Sequence, residues 1–374
     1  MKSKFLTLGI LLGISITFYY CKKASDAPQA VVMIPSLPAT PDLYYSGITS
    51  YNEWATLGRV LFYDSHLSVN NAISCGSCHK QAAGFADNVA FSLGDQNALT
   101  RRNSLSIQDI NSDPPEFNGG NPIFSAGSSL FWDGRENNIG NLIMRPVTNH
   151  VEMGITDTAA LAAKIAAIPF YANLFNNAFG SPQITASRIS VAIAMFVNAI
   201  KTGNSRFEIA FNNGGLNTPG TLTNLEIQGM QLFETKYNCN SCHQTIGGSG
   251  MYSTSFSFMN NGLDVNDKDP GLGALTGNPQ DIGKFKAPEL HNIAITAPYM
   301  HDGRFKTLDD VLDFYSGGIQ NNVNLDTRLQ DQYGQPLRLN ISSQDRMALK
   351  AFLNSLTDYT MITDPKFSNP FVKQ

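Results

Sequence analysis

The sequence predicts a mainly α fold, two small helical domains with long loops, and three observations predict it. Apolar residues recur at helical spacing in several separated windows, with no sustained run of alternating strands between them. The chain also repeats itself. Leu57-Gly58-Arg59-Val60-Leu61-Phe62 is echoed by Gln228-Gly229-Met230-Gln231-Leu232-Phe233, and Phe131-Trp132-Asp133-Gly134-Arg135 by Met300-His301-Asp302-Gly303-Arg304. Finally, one pentapeptide pattern occurs twice, as Cys75-Gly76-Ser77-Cys78-His79 and as Cys239-Asn240-Ser241-Cys242-His243.

Taken in order, Lys2 and Lys4 precede an apolar run over 5–20, the pattern of a signal peptide and short for a membrane span. Cys21 follows at once, as at a bacterial lipoprotein site, where cleavage leaves that cysteine lipidated. Phe18, Tyr19 and Tyr20 are larger than the residues usual before such a cysteine, so a cleaved soluble form and an uncleaved anchor stay open. Each version delivers the chain outside the cytoplasm, to the periplasm. Residues 21–43, with their Ala, Pro and Ser, read as a tether.

Helices are expected over 52–63, 157–167, 185–201, 222–237, 307–315 and 342–356, with Thr156 a candidate cap for the second. The Asn/Gly/Pro-rich stretch 212–220 is the linker between domains at 44–211 and 221–374, and 260–285 reads as a long polar loop. Only 15% of residues are charged and the net charge is −4, which excludes the basic field of a nucleic-acid binder.

The paired pentapeptides read as covalent c-type haem sites. Two thiols, Cys75 and Cys78 or Cys239 and Cys242, join the haem vinyl groups, and His79 or His243 lies under the iron as its proximal ligand. A redox dithiol belongs beside a βαβ unit, and a zinc site needs a fourth ligand at repeated spacing; neither is evident. Four of the five cysteines are used here, which leaves no disulfide framework.

The halves are unequal. At equal distance past the Asp-Gly-Arg repeats, the second half places Tyr315 and the first Pro146. A phenolate ligates iron and proline does not, so one haem has a candidate sixth ligand and the other an open face. Met300 is the rival ligand, and Tyr315 as a buried core aromatic is the plainer alternative.

The order of motifs resembles the bacterial dihaem cytochrome c peroxidase family, including its methylamine-utilisation branch, from about residue 57 to 356. Its carriers are Leu57-Gly58-Arg59, both pentapeptides, Arg101-Arg102-Asn103, Phe131-Trp132-Asp133-Gly134-Arg135, Val151-Glu152-Met153-Gly154 and Thr296-Ala297-Pro298-Tyr299-Met300-His301-Asp302-Gly303. The resemblance implies that the first haem is peroxidatic and the second transfers electrons. It makes Glu152 the proton shuttle for peroxide and Trp132 the relay between haems. It places one calcium ion at Asn103, Thr296 and Pro298, and makes His301 a hydrogen-bonding residue near the second haem. Dimers are common in the family.

Departures matter too. Studied peroxidases carry a histidine that caps the first iron where this chain has Asp95, and methionine where it has Tyr315. Both lean towards the methylamine-utilisation branch. His150 is placed to tune Glu152, while His66 and His291 are left as structural. The expected function is an exported peroxidase that takes electrons from a small redox protein, a cytochrome c or a cupredoxin. The alternatives are an enzyme that oxidises residues of a partner protein and a dihaem electron carrier.

Overall fold

The computed structural model describes residues 34–46, 49–110, 116–118, 121–123, 129–213, 221–243 and 258–371. The signal segment, Cys21, part of the tether and most of the linker lie outside them. The elements, in chain order, are α1 (Thr49–Tyr63), α2 (Cys75–Cys78), β1 (Glu116–Asn118), β2 (Asn121–Ile123), α3 (Ile139–Thr148), α4 (Thr158–Ala166), α5 (Pro169–Phe179), α6 (Ala186–Asn198), α7 (Arg206–Asn212), α8 (Asn224–Gln231), β3 (Phe258–Met259), α9 (Gly273–Thr276), β4 (Phe285–Lys286), α10 (Leu308–Asp313) and α11 (Ser343–Ser355). The mainly α expectation holds. The described strands form two antiparallel pairs, β1 with β2 and β3 with β4.

Each repeated Gly marks a helix crossing. A Cβ on Gly58 of α1 would lie 1.9 Å from the Ala192 carbonyl oxygen of α6 and 2.9 Å from Phe196 Cβ. A Cβ on Gly229 of α8 would lie 1.9 Å from the Ala348 carbonyl oxygen of α11 and 2.8 Å from Phe352 Cβ. Only glycine permits backbones so close. Four residues past each glycine, Phe62 meets Phe196 edge-on at 5.2 Å between ring centres, and Phe233 meets Phe352 at 5.4 Å. The sequence repeat is thus a repeat of packing.

The two crossings seed two cores. The first gathers Leu57, Phe62, Val147, Phe175, Ile193 and Phe196, and the second Phe233, Leu312, Leu349, Phe352 and Leu356. The chain crosses between them: Phe207 and Ala210 of α7 pack in the second, and Met361 and Phe367 in the first. The described end of the tether is bonded to the body, through Ser36 N–H to Pro370 O at 2.7 Å and Asp42 to Arg59 at 3.1 Å.

Caps explain most helix starts. Thr185, Thr223, Thr307 and Ser342 each accept a backbone N–H three residues on, at the starts of α6, α8, α10 and α11. For α4 the cap is Asp157, not Thr156: its carboxylate accepts from Ala159 and Ala160 N–H at 2.8 and 3.2 Å. Helices α3, α5 and α7 were not expected. α3 holds Gly140 and Pro146, α5 is rich in aromatics and asparagine, and α7 has seven residues, so each has weak intrinsic propensity. Among the described residues no single helix is long and apolar enough to cross a membrane.

Replacing Gly58 or Gly229 by Ala should destabilise the fold by about 2 kcal/mol, through overpacking against a carbonyl. Gly203→Ala, with nothing within 4 Å of the new methyl, should stay within about 0.5 kcal/mol. Denaturant midpoints measure both.

Candidate functional site

Both pentapeptides are closed by the same backbone bond, in a turn of α-helix in the first and of 3-10 helix in the second. His79 N–H reaches Cys75 O at 2.9 Å, and His243 N–H reaches Cys239 O at 3.1 Å. In α2 the absence of a side chain on Gly76 admits the Tyr63 ring, 2.5 Å from where a Cβ would stand. His79 Nδ1 lies 2.9 Å from Phe85 O, and His243 Nδ1 lies 2.9 Å from Pro288 O. A carbonyl only accepts, so Nδ1 carries the hydrogen and Nε2 keeps its lone pair for a metal. Burial lowers both imidazole pKa values, which also favours the neutral, ligating form.

The rival readings of the cysteines fail on geometry. Burial pushes the Cys75 and Cys239 thiols up to about 12, opposite to a reactive dithiol. Among the described residues, the thiols and imidazole of neither pentapeptide converge as a zinc site requires. A cavity of about 660 Å³, of cofactor size, is lined by Cys239, Cys242, His243, Met300 and Tyr315. These residues fit a haem held through two thioethers with an imidazole on one face.

Tyr315 lies in a π turn, Phe314–Gly318, that continues α10. Its hydroxyl is 3.5 Å from Asn261 Nδ2, which also lies 3.6 Å from Met300 Sδ, so both candidate ligands share one side chain as neighbour. Burial raises the Tyr315 phenol to about 12. In the first half, Pro146 stands inside α3, where Met153 N–H meets its carbonyl at 3.3 Å.

Glu152 follows α3. Burial raises its carboxyl pKa, against the opposing pull of the Arg135 charge and of Asn149, whose Nδ2 donates to Oε1 at 2.8 Å. It is near enough to Cys75 and Cys78 to act on both electrostatically. His150 is exposed, and the groups acting on Glu152 are Arg135 and Asn149. Asp95 N–H donates to Glu152 O at 2.7 Å, while its buried carboxylate accepts from Asn70 Nδ2 at 2.6 Å. His66 pairs with Asp64 at 2.6 Å, consistent with a structural residue.

The duplicated Asp-Gly-Arg turns meet face to face. In each, a non-glycine residue takes a left-handed conformation, Phe131 at φ 64° and Met300 at φ 72°. In each, a backbone bridge of 2.7 Å closes the turn, Leu130 to Glu136 and Tyr299 to Phe305. The residues that follow, Trp132 and His301, stand edge to face at 6.4 Å, and Phe285 stacks on His301 at 4.0 Å. Trp132 Nε1–H donates to Asn103 O at 2.8 Å. Arg102 clamps the junction, with Nε and Nη2 on Asp269 at 2.6 and 2.8 Å and Nη1 on buried Asp133 at 2.6 Å. Asn103, Thr296 and Pro298, the three calcium candidates, all line this same cavity.

Sequence reasoning missed one group. His291, left as structural, lies 2.7 Å from Glu289 and 3.8 Å from Asp109 through Nδ1, and 3.7 Å from Glu208 through Nε2. Residues nearly two hundred positions apart carry no pattern that could have revealed it.

With this geometry in view, the class of protein follows. The di-haem cytochrome c peroxidase family profile matches residues 52–214. The chain is 33% identical to the cytochrome c551 peroxidase of Nitrosomonas europaea, covering 76% of this chain and 78% of the other. It is 30% identical to the methylamine utilization protein MauG of Methylorubrum extorquens, over 88% and 82%. The crystal structure of a MauG-like protein associated with microbial copper homeostasis superposes with a TM-score of 0.72 at 29% identity, covering 92% of this chain and 99% of that one. The protein belongs to the di-haem cytochrome c peroxidase family, and is an oxidoreductase of that type.

Arg102→Gln should cost about 2 kcal/mol, because Asp269 loses its two-bond partner while buried Asp133 keeps only Arg135. Arg102→Lys should not restore the midpoint of unfolding, since a single ammonium cannot grip Asp269 with two bonds.

Proposed function

We propose that this protein is an exported dihaem c-type peroxidase that reduces hydrogen peroxide to two water molecules, with two electrons from a small redox protein. The observation that carries this reading is the inequality of the halves. Tyr315 and Met300 line the cavity beside Cys239, Cys242 and His243, whereas the matching helix of the first half presents Pro146, with Glu152 close to Cys75 and Cys78. Haem, when bound through these cysteines and histidines, supplies iron that exchanges electrons with peroxide and with the donor.

Glu152 takes one proton of peroxide and delivers it to the oxygen that leaves as water when the O–O bond breaks, and two electrons from the donor with two protons from solvent convert the other oxygen to the second water. Asn149 holds the carboxyl in place, and the Arg135 charge opposes the upward pull of burial on it. Asp95, tied to Asn70, offers no imidazole that could cap an iron. Trp132, buried at the junction, is the oxidisable relay between halves. Asn103, Thr296 and Pro298 would hold a calcium ion through oxygen atoms, which would keep the two segments in register. The donor, a cytochrome c or cupredoxin, docks on the second domain, and Cys21 anchors the chain in the periplasm.

Tyr315 supports a second reading, in which peroxide drives oxidation of residues in a partner protein, as a phenolate ligand suits strongly oxidising iron. Steady peroxide consumption with a reduced cytochrome c or cupredoxin supports the first reading; oxidation of a partner without such turnover supports the second.

Glu152→Gln should slow peroxide reduction roughly 10²- to 10⁴-fold, the scale of general acid–base catalysis, with haem content unchanged. The ionised carboxylate is the active form, so the wild-type rate should rise with pH through a pKa above the ordinary 4.5. The variant should lose that limb.

A further inference from the structure

Resting on the assignment of the cavity beside Cys239, Cys242 and His243 to the second haem, we propose that Lys286 neutralises a carboxylate of that haem and raises its reduction potential. Among the described residues, three cationic side chains line the cavity, Lys236, Arg328 and Lys286. Two of them are already paired. Lys236 Nζ meets Asp345 Oδ2 at 2.5 Å, and Arg328 Nε meets Asp326 Oδ1 at 2.8 Å. Lys286 differs: among the described residues its ammonium makes no hydrogen bond or ion pair, and Glu289 acts on it only through its field.

The backbone fixes where this side chain starts. Lys286 pairs with Phe258 in the β3–β4 ladder, and its N–H donates to Trp132 O at 2.8 Å. Two residues on, Pro288 O orients the His243 imidazole. One short segment thus carries both the carbonyl that aims the proximal imidazole and a cation on the wall of the same cavity. In the first half the matching carbonyl is Phe85 O, and two residues before it stands Ala83. The cation at this place belongs to the second half alone.

Haem brings two carboxylates with it. Thioethers tether the ring but leave those anions to be neutralised, and burying one without a partner is costly. An unpaired ammonium is costly for the same reason: burial lowers Lys286 to about 8, against the opposing pull of Glu289. Glu289 itself is committed elsewhere, to Gln108 Nε2 at 2.8 Å and His291 Nδ1 at 2.7 Å. A carboxylate arriving with the haem relieves both penalties through one charge-assisted hydrogen bond. Reduction adds an electron to the iron, and a positive charge at the ring's edge stabilises the product of that step.

The test uses the purified full chain, with haem content measured first as the pyridine haemochrome. Fewer than two haems per wild-type chain would sink the cavity assignment, and this role for Lys286 with it. Both potentials are then read by spectroelectrochemical titration. Lys286→Met and Lys286→Gln should each lower one potential by about tenfold in the reduction equilibrium, or about 59 mV, and leave the other in place. Lys286→Arg should keep the wild-type pair of values. Lys236→Met, which removes a cation already paired with Asp345, should change neither. Loss of one haem in both neutral variants, with retention in Lys286→Arg, would also support the pairing. Unchanged potentials in a fully loaded neutral variant, equal shifts of both haems, or the same fall in Lys286→Arg would overturn it while the haem assignment stands.

Discussion

Two backbone crossings set the rest of this structure in place. At Gly58 and at Gly229 one helix lies against the carbonyl of another, at Ala192 and at Ala348, closer than any side chain would allow. Each contact brings a phenylalanine four residues on into ring contact with a phenylalanine of its partner helix, and around that pair a core closes. The pentapeptide after each first helix then emerges at one place relative to its core. Its histidine is oriented by a carbonyl further along the chain, Phe85 O or Pro288 O. The two halves share this construction, and their chemistry diverges only where the residues diverge.

The junction follows from the same duplication. Because both Asp-Gly-Arg turns fold alike, Trp132 and His301 arrive as equivalents and face each other across Phe285. Arg102 joins an aspartate from each half, Asp133 and Asp269, and its guanidinium lies 5.3 Å from the Phe285 ring centre. Rigidity at this point matters for an enzyme that moves electrons between two centres, since transfer depends on fixed separation. Beyond the turns the halves part company: a proline interior to α3 in one, a tyrosine in a widened π turn in the other.

Much of this was legible in the residues, for reasons that can be named. Covalent attachment demands two thiols and an imidazole at fixed local spacing, so both pentapeptides could be read directly, and the glycine and Asp-Gly-Arg repeats showed the duplication. The one cap named from sequence, Thr156, was off by a residue: Asp157 displaced it because a carboxylate accepts two N–H groups at once. What escaped depends on distant partners. Helices α3, α5 and α7 have weak propensity and owe their form to burial of Ile143, Phe175 and Phe207. The surroundings of Glu152, where Arg135 acts and neighbouring His150 faces solvent, could not be inferred from adjacency. The group around His291 left no trace at all, since its members come from three separate segments.

The claim on which the functional account rests is that one of two haem irons has a protein ligand on only one face. Electron paramagnetic resonance of the oxidised, haem-loaded protein tests it most directly. The account predicts one high-spin and one low-spin ferric signal, with the high-spin signal lost on adding peroxide without prior reduction. Two low-spin signals, both unchanged by peroxide, would contradict it.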